Sequence, residues 1–351
     1  MSKNEIYSED VKYLAALPLP WEKLSGGSLM VTGATGMLGS LLIDAVMYKN
    51  IHEGLDCHVI AIGRDSDKAF DRFSDYSEDE DFEFFEHDIN KPLTDILADD
   101  YPLYILHLAS ATHPLAYSSD PIGTITANIF GTYNLLDNAT DELHYGKVRF
   151  LLASSNEIYG ENRGDKEFFD EDYCGYINCN TLRAGYPESK RCSEALCQAF
   201  IKQKGADAVI ARLTRSFGPG LLSDDTKAMT QFLKKGRSGE NIILKSKGDQ
   251  HFSYTYSADA VSGLLTVLLL GETGKAYNIA DTPGDITLRE LAEYIAQECG
   301  TKVVYDLPDT AEAAGYSTAT KARLDGSEIK KLGWSMKYDI RAGVKRTLEG
   351  A

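Results

Sequence analysis

Basic residues are scarce in this chain: 36 Lys and Arg stand against 53 Asp and Glu, for a formal net charge of −17. That balance excludes long-range attraction to nucleic acid or to an anionic membrane surface, so an anionic ligand needs a local basic pocket. No hydrophobic run approaches the roughly 18 residues of a membrane span. The opening stretch Met-Ser-Lys-Asn-Glu-Ile-Tyr-Ser-Glu-Asp lacks the apolar core of a secretion signal, and a cytoplasmic protein is expected. Cys-x-x-Cys pairs are missing as well. The six cysteines (Cys57, Cys174, Cys179, Cys192, Cys197 and Cys299) are scattered, which argues against a disulfide framework or a zinc site and for thiols that stay reduced. There are no internal repeats and no low-complexity tracts. With 351 residues at 43% hydrophobic, the chain has enough apolar material for one large α/β core or two smaller ones.

What is present is most informative at residues 29–40, Leu-Met-Val-Thr-Gly-Ala-Thr-Gly-Met-Leu-Gly-Ser. An apolar strand runs into Gly33, Gly36 and Gly39 at the head of an apolar helix. The pattern predicts a dinucleotide phosphate site: a tight turn, backbone without side chains in the way of a pyrophosphate, and a helix N-terminus that attracts anions. Thr35, Met37 and Leu38 complete the predicted cradle.

Strand-like runs at 28–32, 57–62, 82–86, 103–109, 148–153 and 207–213 alternate with helix-length segments, notably 121–139 and 186–204. This order predicts an α/β fold, a Rossmann-type doubly wound parallel sheet, with a smaller mixed α/β substrate-binding region. The expected division is an N-terminal helical extension at 1–27, with a helix from Asp10 to Leu17. A dinucleotide-binding domain follows at 28–213, and 214–351 is mainly substrate-binding, interleaved with the first domain and carrying a helix at Leu288–Cys299. The acidic stretch Asp71–Glu83 reads as a solvated loop.

The residue closing the second strand discriminates between NAD and NADP: a carboxylate bonds the ribose 2′-hydroxyl, whereas a small residue followed by Arg accepts a 2′-phosphate. Here the strand ends Ile62-Gly63-Arg64-Asp65, so Arg64 points toward NADP, with Asp65 as the alternative for the 2′-hydroxyl of NAD. Asp88 and Ile89 follow the third strand, where an adenine ring would lie; an ordinary strand end is the other reading.

Tyr186 and Lys190 are four residues apart at the start of a predicted helix and share one face. A free Tyr is a poor base, with a pKa near 10. A cation about 4 Å away contributes on the order of 4 kcal/mol at an effective dielectric of 20, which is about three pKa units. Ser154, Ser155, Asn156 and Glu157 end the preceding strand, and a hydroxyl there can hold a substrate alcohol against Tyr186 while a hydride leaves for a nicotinamide.

Taken with His107-Leu108-Ala109-Ser110, Asp120-Pro121-Ile122, Asn128 through Asn134, Ser154 through Gly160, Tyr186-Pro187-Glu188-Ser189-Lys190 and Arg212 through Pro219, the chain resembles the extended short-chain dehydrogenase/reductases that modify nucleotide sugars. The resemblance implies that Tyr186 is the base, that Lys190 lowers its pKa and binds the nicotinamide ribose, and that Ser155 orients the sugar. It places Leu108, Ala109, Ser110 and Asn128 beside the cofactor, although helix packing is an equal reading for Asn128. Relatives pair through helices matching 121–139 and 186–204, so a homodimer is expected.

The segment Glu171 through Asn178, then Arg183 and Tyr186 through Arg191, looks most like UDP-glucuronate decarboxylases. These oxidise carbon 4, lose carbon dioxide and reduce the ketone again. Glu157 matches a family glutamate, with a structural capping role as its alternative. Asn156 stands where the related dehydratases carry an Asp, and an amide cannot protonate a departing hydroxyl. Epimerisation or decarboxylation is therefore expected ahead of dehydration. Thr112, Asn156, Arg183, Arg215 and Arg323 are the expected substrate contacts, with Lys321 as a further cation. Two positions depart from the pattern: Arg215 stands where Asn is usual, and Phe252 where Arg is usual, so that one diphosphate contact has moved or the ligand is unusual. His113 and His107 read as loop and core residues, and Cys174 and Cys179 carry little weight. A net NADPH-dependent carbonyl reductase and a non-catalytic NAD(P)-binding regulator remain as alternatives.

Overall fold

Alternation along the first strands sets up two cores. In the computed structural model, which describes residues 4–93, 104–112, 114–140, 148–221, 225–306 and 321–350, strand β1 (Gly27–Thr32) sends Leu29 and Val31 into one core and Met30 into the other. Strand β2 (Cys57–Gly63) divides Val59 and Ala61 from Ile60 and Ile62 in the same way. Strands apolar on both faces belong in a parallel sheet covered on both sides by helices. That sheet has seven strands. On one side of β1 lie β2 and then β3 (Phe82–Glu86); on the other lie β4 (Tyr104–His107), β5 (Arg149–Ser155), β6 (Asp207–Leu213) and, at the edge, β10 (Ala276–Ile279). All six pairings are parallel. The chain reverses direction across the sheet between β1 and β4, the switch point at which such sheets bind ligands.

Helices α1 (Glu5–Ala15), α2 (Met37–Glu53) and α8 (Ser257–Leu270) cover one face, through Val11, Leu14, Leu42 and Leu264 among others. On the opposite face α5 (Pro121–Ala139) and α6 (Gly185–Lys204) supply Leu135, Leu136, Cys197 and Phe200. Both α5 and α6 fall close to their sequence-predicted bounds. Pro121 fits the first turn of α5, where its missing N–H costs nothing, and the Asp120 carboxylate accepts the Gly123 N–H at 2.9 Å. Gly205, at φ 68°, ends α6.

Three local expectations change. The first helix starts earlier than Asp10, because the Asn4 side chain caps it by accepting from Ile6 N and Tyr7 N. Strand β4 stops at His107 rather than 109, since Leu108 and Ala109 turn to hydrogen-bond Thr32. The acidic stretch is not all solvated loop: α3 (Ser66–Phe73) and a 3₁₀ turn at Ser74–Tyr76 bury Phe73 and Tyr76 in the core.

The remaining elements surround β9 (His251–Tyr256), which pairs with β7 (Arg215–Phe217), β11 (Asp285–Thr287) and β13 (Lys321–Ala322). A second ladder joins β8 (Ile242–Leu244) to β12 (Val303–Tyr305). With α7 (Ala228–Arg237), α9 (Leu288–Glu298) and the helix Ile340–Glu349, these build a separate core around Phe232, Leu291, Ile295 and Val344. The helix expected at 288–299 is α9. Helix α1 ties the two cores together: Tyr7 Oη donates to Asp44 on α2 at 2.7 Å, while Asp10 accepts from Arg346 at 2.7 Å and from Tyr256 Oη. Asn4 Nδ2 reaches Gly350 O at 2.6 Å. Among the described residues no helix is long and apolar enough to cross a membrane.

Candidate active site

The glycine turn is shaped by contact. Gly33 has φ +71°, and a Cβ there would lie 2.9 Å from Ala109 N; a Cβ on Gly39 would lie 2.5 Å from Gly33 O. Only glycine allows this turn to close against the strand beside it. Gly36 is the N-cap of α2 and provides no side-chain cap, so the first-turn N–H groups past it, beside Thr35, Met37 and Leu38, are available to an anion. The loop Leu108-Ala109-Ser110 forms the opposite wall. Thr32 Oγ1 accepts the Ala109 N–H at 3.2 Å and bonds His107 Nδ1 at 2.8 Å. Burial, reinforced by the Lys190 charge, pushes His107 down to about 3, so the ring is a neutral core residue, as expected. These residues fit a dinucleotide pyrophosphate.

At the end of β2, Gly63 leaves room for the Phe84 ring, 3.1 Å from where its Cβ would be. Arg64 is exposed and makes no ion pair among the described residues. Asp65 caps α3, accepting the Lys68 N–H at 2.9 Å. Asp88 holds a turn by accepting from Asn90 N at 3.0 Å, and Ile89 is buried against Gly131. For these two the strand-end reading describes the contacts seen. Asn128 spends both ends of its amide on the protein, accepting from Ser110 Oγ and donating to Ser189 Oγ, each at 2.8 Å; it fastens the β4 loop to α5 and α6.

Tyr186 stands in the first turn of α6, and Lys190 one turn later, beside the C-terminal end of β5. Ser155 lies beside the Tyr186 phenol and eases its ionisation, and Ser155 Oγ accepts the Glu157 N–H at 3.2 Å. Burial nonetheless pushes Tyr186 up to about 12, against the easing effect of Ser155. The expectation that Lys190 lowers this pKa is therefore corrected for the protein alone: Lys190 Nζ donates to Ala153 O at 2.8 Å, and its own burial pushes it down to about 8 while the Glu194 carboxylate pulls upward. Desolvation is the largest effect on both buried groups.

Glu157 pairs with Arg183 at 2.7 Å. Asn156 is buried, with Oδ1 3.5 Å from Ser155 Oγ. The Arg215 guanidinium carbon lies 3.7 Å from the Phe252 ring centroid, and buried Nη1 has no hydrogen-bond partner among the described residues. Arg323 lies 4.3 Å from the Phe168 ring centroid, pairs with Glu167 at 2.5 Å and, with Lys321, Lys166 and Asn162, lines an open cleft of about 360 Å³. Thr112 is exposed, and His113 lies outside the described residues. Cys174 and Cys179 are exposed free thiols.

Sequence reasoning missed Glu194, Arg212 and Tyr117. Glu194 pairs with Arg212 at 2.8 Å and accepts from Ser154 Oγ. Its four-residue step from Lys190, continuing the step from Tyr186, is a signal that the sequence did contain. Tyr117, on α4 (Pro114–Ser119), stacks on Tyr186; nothing local marks it.

The parallel sheet, the glycine cradle at its switch point and the Ser155–Tyr186–Lys190 group define a nicotinamide-dependent enzyme of the short-chain dehydrogenase type. The chain belongs to the NAD dependent epimerase/dehydratase family, whose profile matches residues 29–280. UDP-glucuronic acid decarboxylase 6 of Arabidopsis thaliana is 30% identical over 321 residues, 90% of this chain and 86% of that protein. UDP-glucuronic acid decarboxylase 1 of Xenopus tropicalis is 29% identical, over 91% and 71%. The fold matches that of UDP-glucuronic acid 4-epimerase from Bacillus cereus, in complex with UDP-glucuronic acid and NAD, with a TM-score of 0.77 at 20% identity over 92% of this chain and 98% of the other. It also matches the dTDP-glucose 4,6-dehydratase DesIV of Streptomyces venezuelae, with a TM-score of 0.76 at 22% identity over 92% and 96%.

Proposed function

We propose that this chain modifies a uridine-diphosphate-linked uronic acid through a transient 4-ketone, with decarboxylation as the leading outcome and epimerisation as the second. The observation that carries the reading is the buried Tyr186 phenol with Ser155 beside it at the end of β5, and Glu157 and Arg183 paired next to them.

Gly33, Thr35, Gly36, Met37, Leu38, Gly39 and the Leu108–Ser110 loop would hold a nicotinamide dinucleotide, which would supply a hydride acceptor and donor and, when oxidised, a positive charge that favours phenolate. Ser155 holds the carbon 4 hydroxyl and Tyr186 takes its proton, while Lys190 supplies positive charge beneath them. The resulting ketone is β to the carbon 6 carboxylate, so carbon dioxide leaves with its bonding electrons passing to the ketone as enolate. Protonation at carbon 5, followed by return of the hydride and of the Tyr186 proton, gives the pentose. Asn156 has no proton to deliver, which supports retention of the ring hydroxyls. Arg215 supplies the diphosphate charge that Phe252 does not, with Arg323 and Lys321 further out.

We assign residues 28–213 to cofactor and catalysis and 214–351 mainly to the substrate. Arg64 supports NADP over NAD. The exposed Ile122, Phe130 and Tyr133, on one side of α5, support pairing of two copies through α5 and α6. Six free cysteines fit a cytoplasmic setting.

The test is mass spectrometry of nucleotide sugars, uronic acids included, incubated with the protein in heavy water with each cofactor. Loss of carbon dioxide from UDP-glucuronic acid is the expected result. An isobaric product means epimerisation. Continuous NADPH consumption would instead establish the reductase, and no turnover of any sugar would leave the regulator.

A further inference from the structure

Tyr117 lies in direct contact with the catalytic phenol. Its ring centroid is 4.7 Å from that of Tyr186 and the planes differ by 22°, a stacked pair. The Arg183 guanidinium carbon is 5.2 Å from the same Tyr117 ring, and Arg183 is fixed in turn by Glu157 at 2.7 Å. Both tyrosines are under a tenth exposed, Tyr117 at 9% and Tyr186 at 6%. Each partner comes from a different element: Tyr117 from α4, Arg183 from the 3₁₀ turn Leu182–Ala184, Glu157 from the 3₁₀ turn Asn156–Tyr159 that follows β5, and Tyr186 from α6. No hydrogen bond is seen to the Tyr117 hydroxyl among the described residues, so the contact is made by the ring.

We propose that Tyr117 is a positioning residue: its ring, braced by the Arg183–Glu157 pair, covers the Tyr186 phenol, fixes its plane against Ser155 and keeps bulk water from it. The proposal rests on Tyr186 being the proton-transfer group. A stacked ring suits this task because it blocks one face without offering a competing hydrogen bond to the phenol oxygen. Misplacing a reacting group by about 1 Å costs on the order of 100-fold in rate, so a covering ring is felt in turnover more than in binding. The charged and titratable groups facing this pair are Glu157, Arg183 and, from the segment before α7, Asp225, with Lys190 one turn along α6.

The experiment compares Tyr117→Phe, Tyr117→Leu and Tyr117→Ala with the full-length wild type, using UDP-glucuronic acid over pH 5.5 to 9.5. Tyr117→Phe keeps the ring and is expected to remain within about threefold of wild type in kcat, with the same pH profile. Tyr117→Leu and Tyr117→Ala are expected to lose about 10- to 100-fold in kcat with KM changed by less than about threefold. Their acid limb moves to lower pH, because water reaching the phenol relieves the burial that opposes its ionisation. Leu retains most of the volume, so it carries the test if the Ala protein does not fold.

A substrate-free readout is the alkaline tyrosinate absorbance, as the difference between each protein and its Tyr186→Phe counterpart. The midpoint drops in the Leu and Ala proteins if Tyr117 shields the phenol. Unchanged kcat and unchanged midpoint in both would overturn the proposal. So would a loss in Tyr117→Phe as large as in Tyr117→Ala, which would assign the role to the hydroxyl. Turnover surviving in Tyr186→Phe would instead overturn the proton-transfer reading. A dead Tyr186→Phe beside wild-type Tyr117 variants fails this proposal alone.

Discussion

Arg215 and Phe252 form one stacked unit, guanidinium carbon to ring centroid 3.7 Å. These are the two positions at which the sequence departs from the nucleotide-sugar enzymes it resembles. On the proposed function, Arg215 on β7 takes the place of the cation expected on β9, supported by the Phe252 ring that stands there. Parallel pairing places Arg215 opposite Tyr254, and Phe252 lies two residues along on the same face. Arg215→Ala is expected to weaken binding of UDP-glucuronic acid by about 10- to 100-fold, the scale of a charge-assisted contact. Arg215→Asn combined with Phe252→Arg is expected to recover most of it. Titration calorimetry checks both, and unchanged binding in Arg215→Ala would remove that residue from the site.

The pH dependence of kcat/KM should show an alkaline limb. Burial pushes Lys190 down to about 8, so the charge it offers the site is present below that pH and lost above it. Lys190→Arg, which stays charged, is expected to move this limb upward even if its maximum rate is lower. A limb at the same pH in both proteins would assign it elsewhere.

Cofactor choice is expected to turn on Arg64. On the proposed preference for NADP, with Asp65 engaged as the cap of α3, the exposed Arg64 guanidinium just past β2 binds the 2′-phosphate. Arg64→Ala should weaken NADP by about tenfold and leave NAD within about twofold. Fluorescence titration of both cofactors checks this, and tighter binding of NAD to the wild type would refute it.

Stability should fall as pH rises from about 4 toward 7, in part because of Asp259. Its carboxyl is buried and pushed up to about 7, although Lys337 N and Tyr338 N donate to it at 2.7 and 3.0 Å. The folded state therefore holds this proton more tightly than the unfolded chain. The resulting stability is full below about pH 4 and is lost as pH approaches 7. Tm measured from pH 5 to 7.5 should decline more steeply in the wild type than in Asp259→Asn.

Charged substitutions on the outer side of α5 test the dimer. Phe130→Asp with Tyr133→Asp is expected to give a monomer by light scattering where the wild type is dimeric. A monomeric wild type at micromolar concentration would remove the proposal.

Periodicity carried most of the fold. Apolar runs alternating with helix-length segments pointed to the parallel sheet, the three glycines to its phosphate turn, and the segment 121–139 matches α5 at both ends. What local pattern could not show was contact between distant segments. Tyr117 meets Tyr186 across 69 residues, and the burial that raises Tyr186 depends on packing that no spacing rule describes. The Tyr186–Lys190 spacing correctly gave a shared helix turn, but not the competing claim of Ala153 O on Lys190. The acidic segment misled because Phe73 and Tyr76, set among carboxylates, supply core contacts that average composition conceals.

Helix α1 has one more consequence, for the order in which the chain is made. Asn4 and Asp10 find their partners at Gly350 and Arg346, separated from them by 346 and 336 positions. Helix α1 therefore waits for a segment made much later, and until then the Asp10 carboxylate stays in water. Closing this clasp comes late in folding, once the second core has seated Val344 and so placed Arg346.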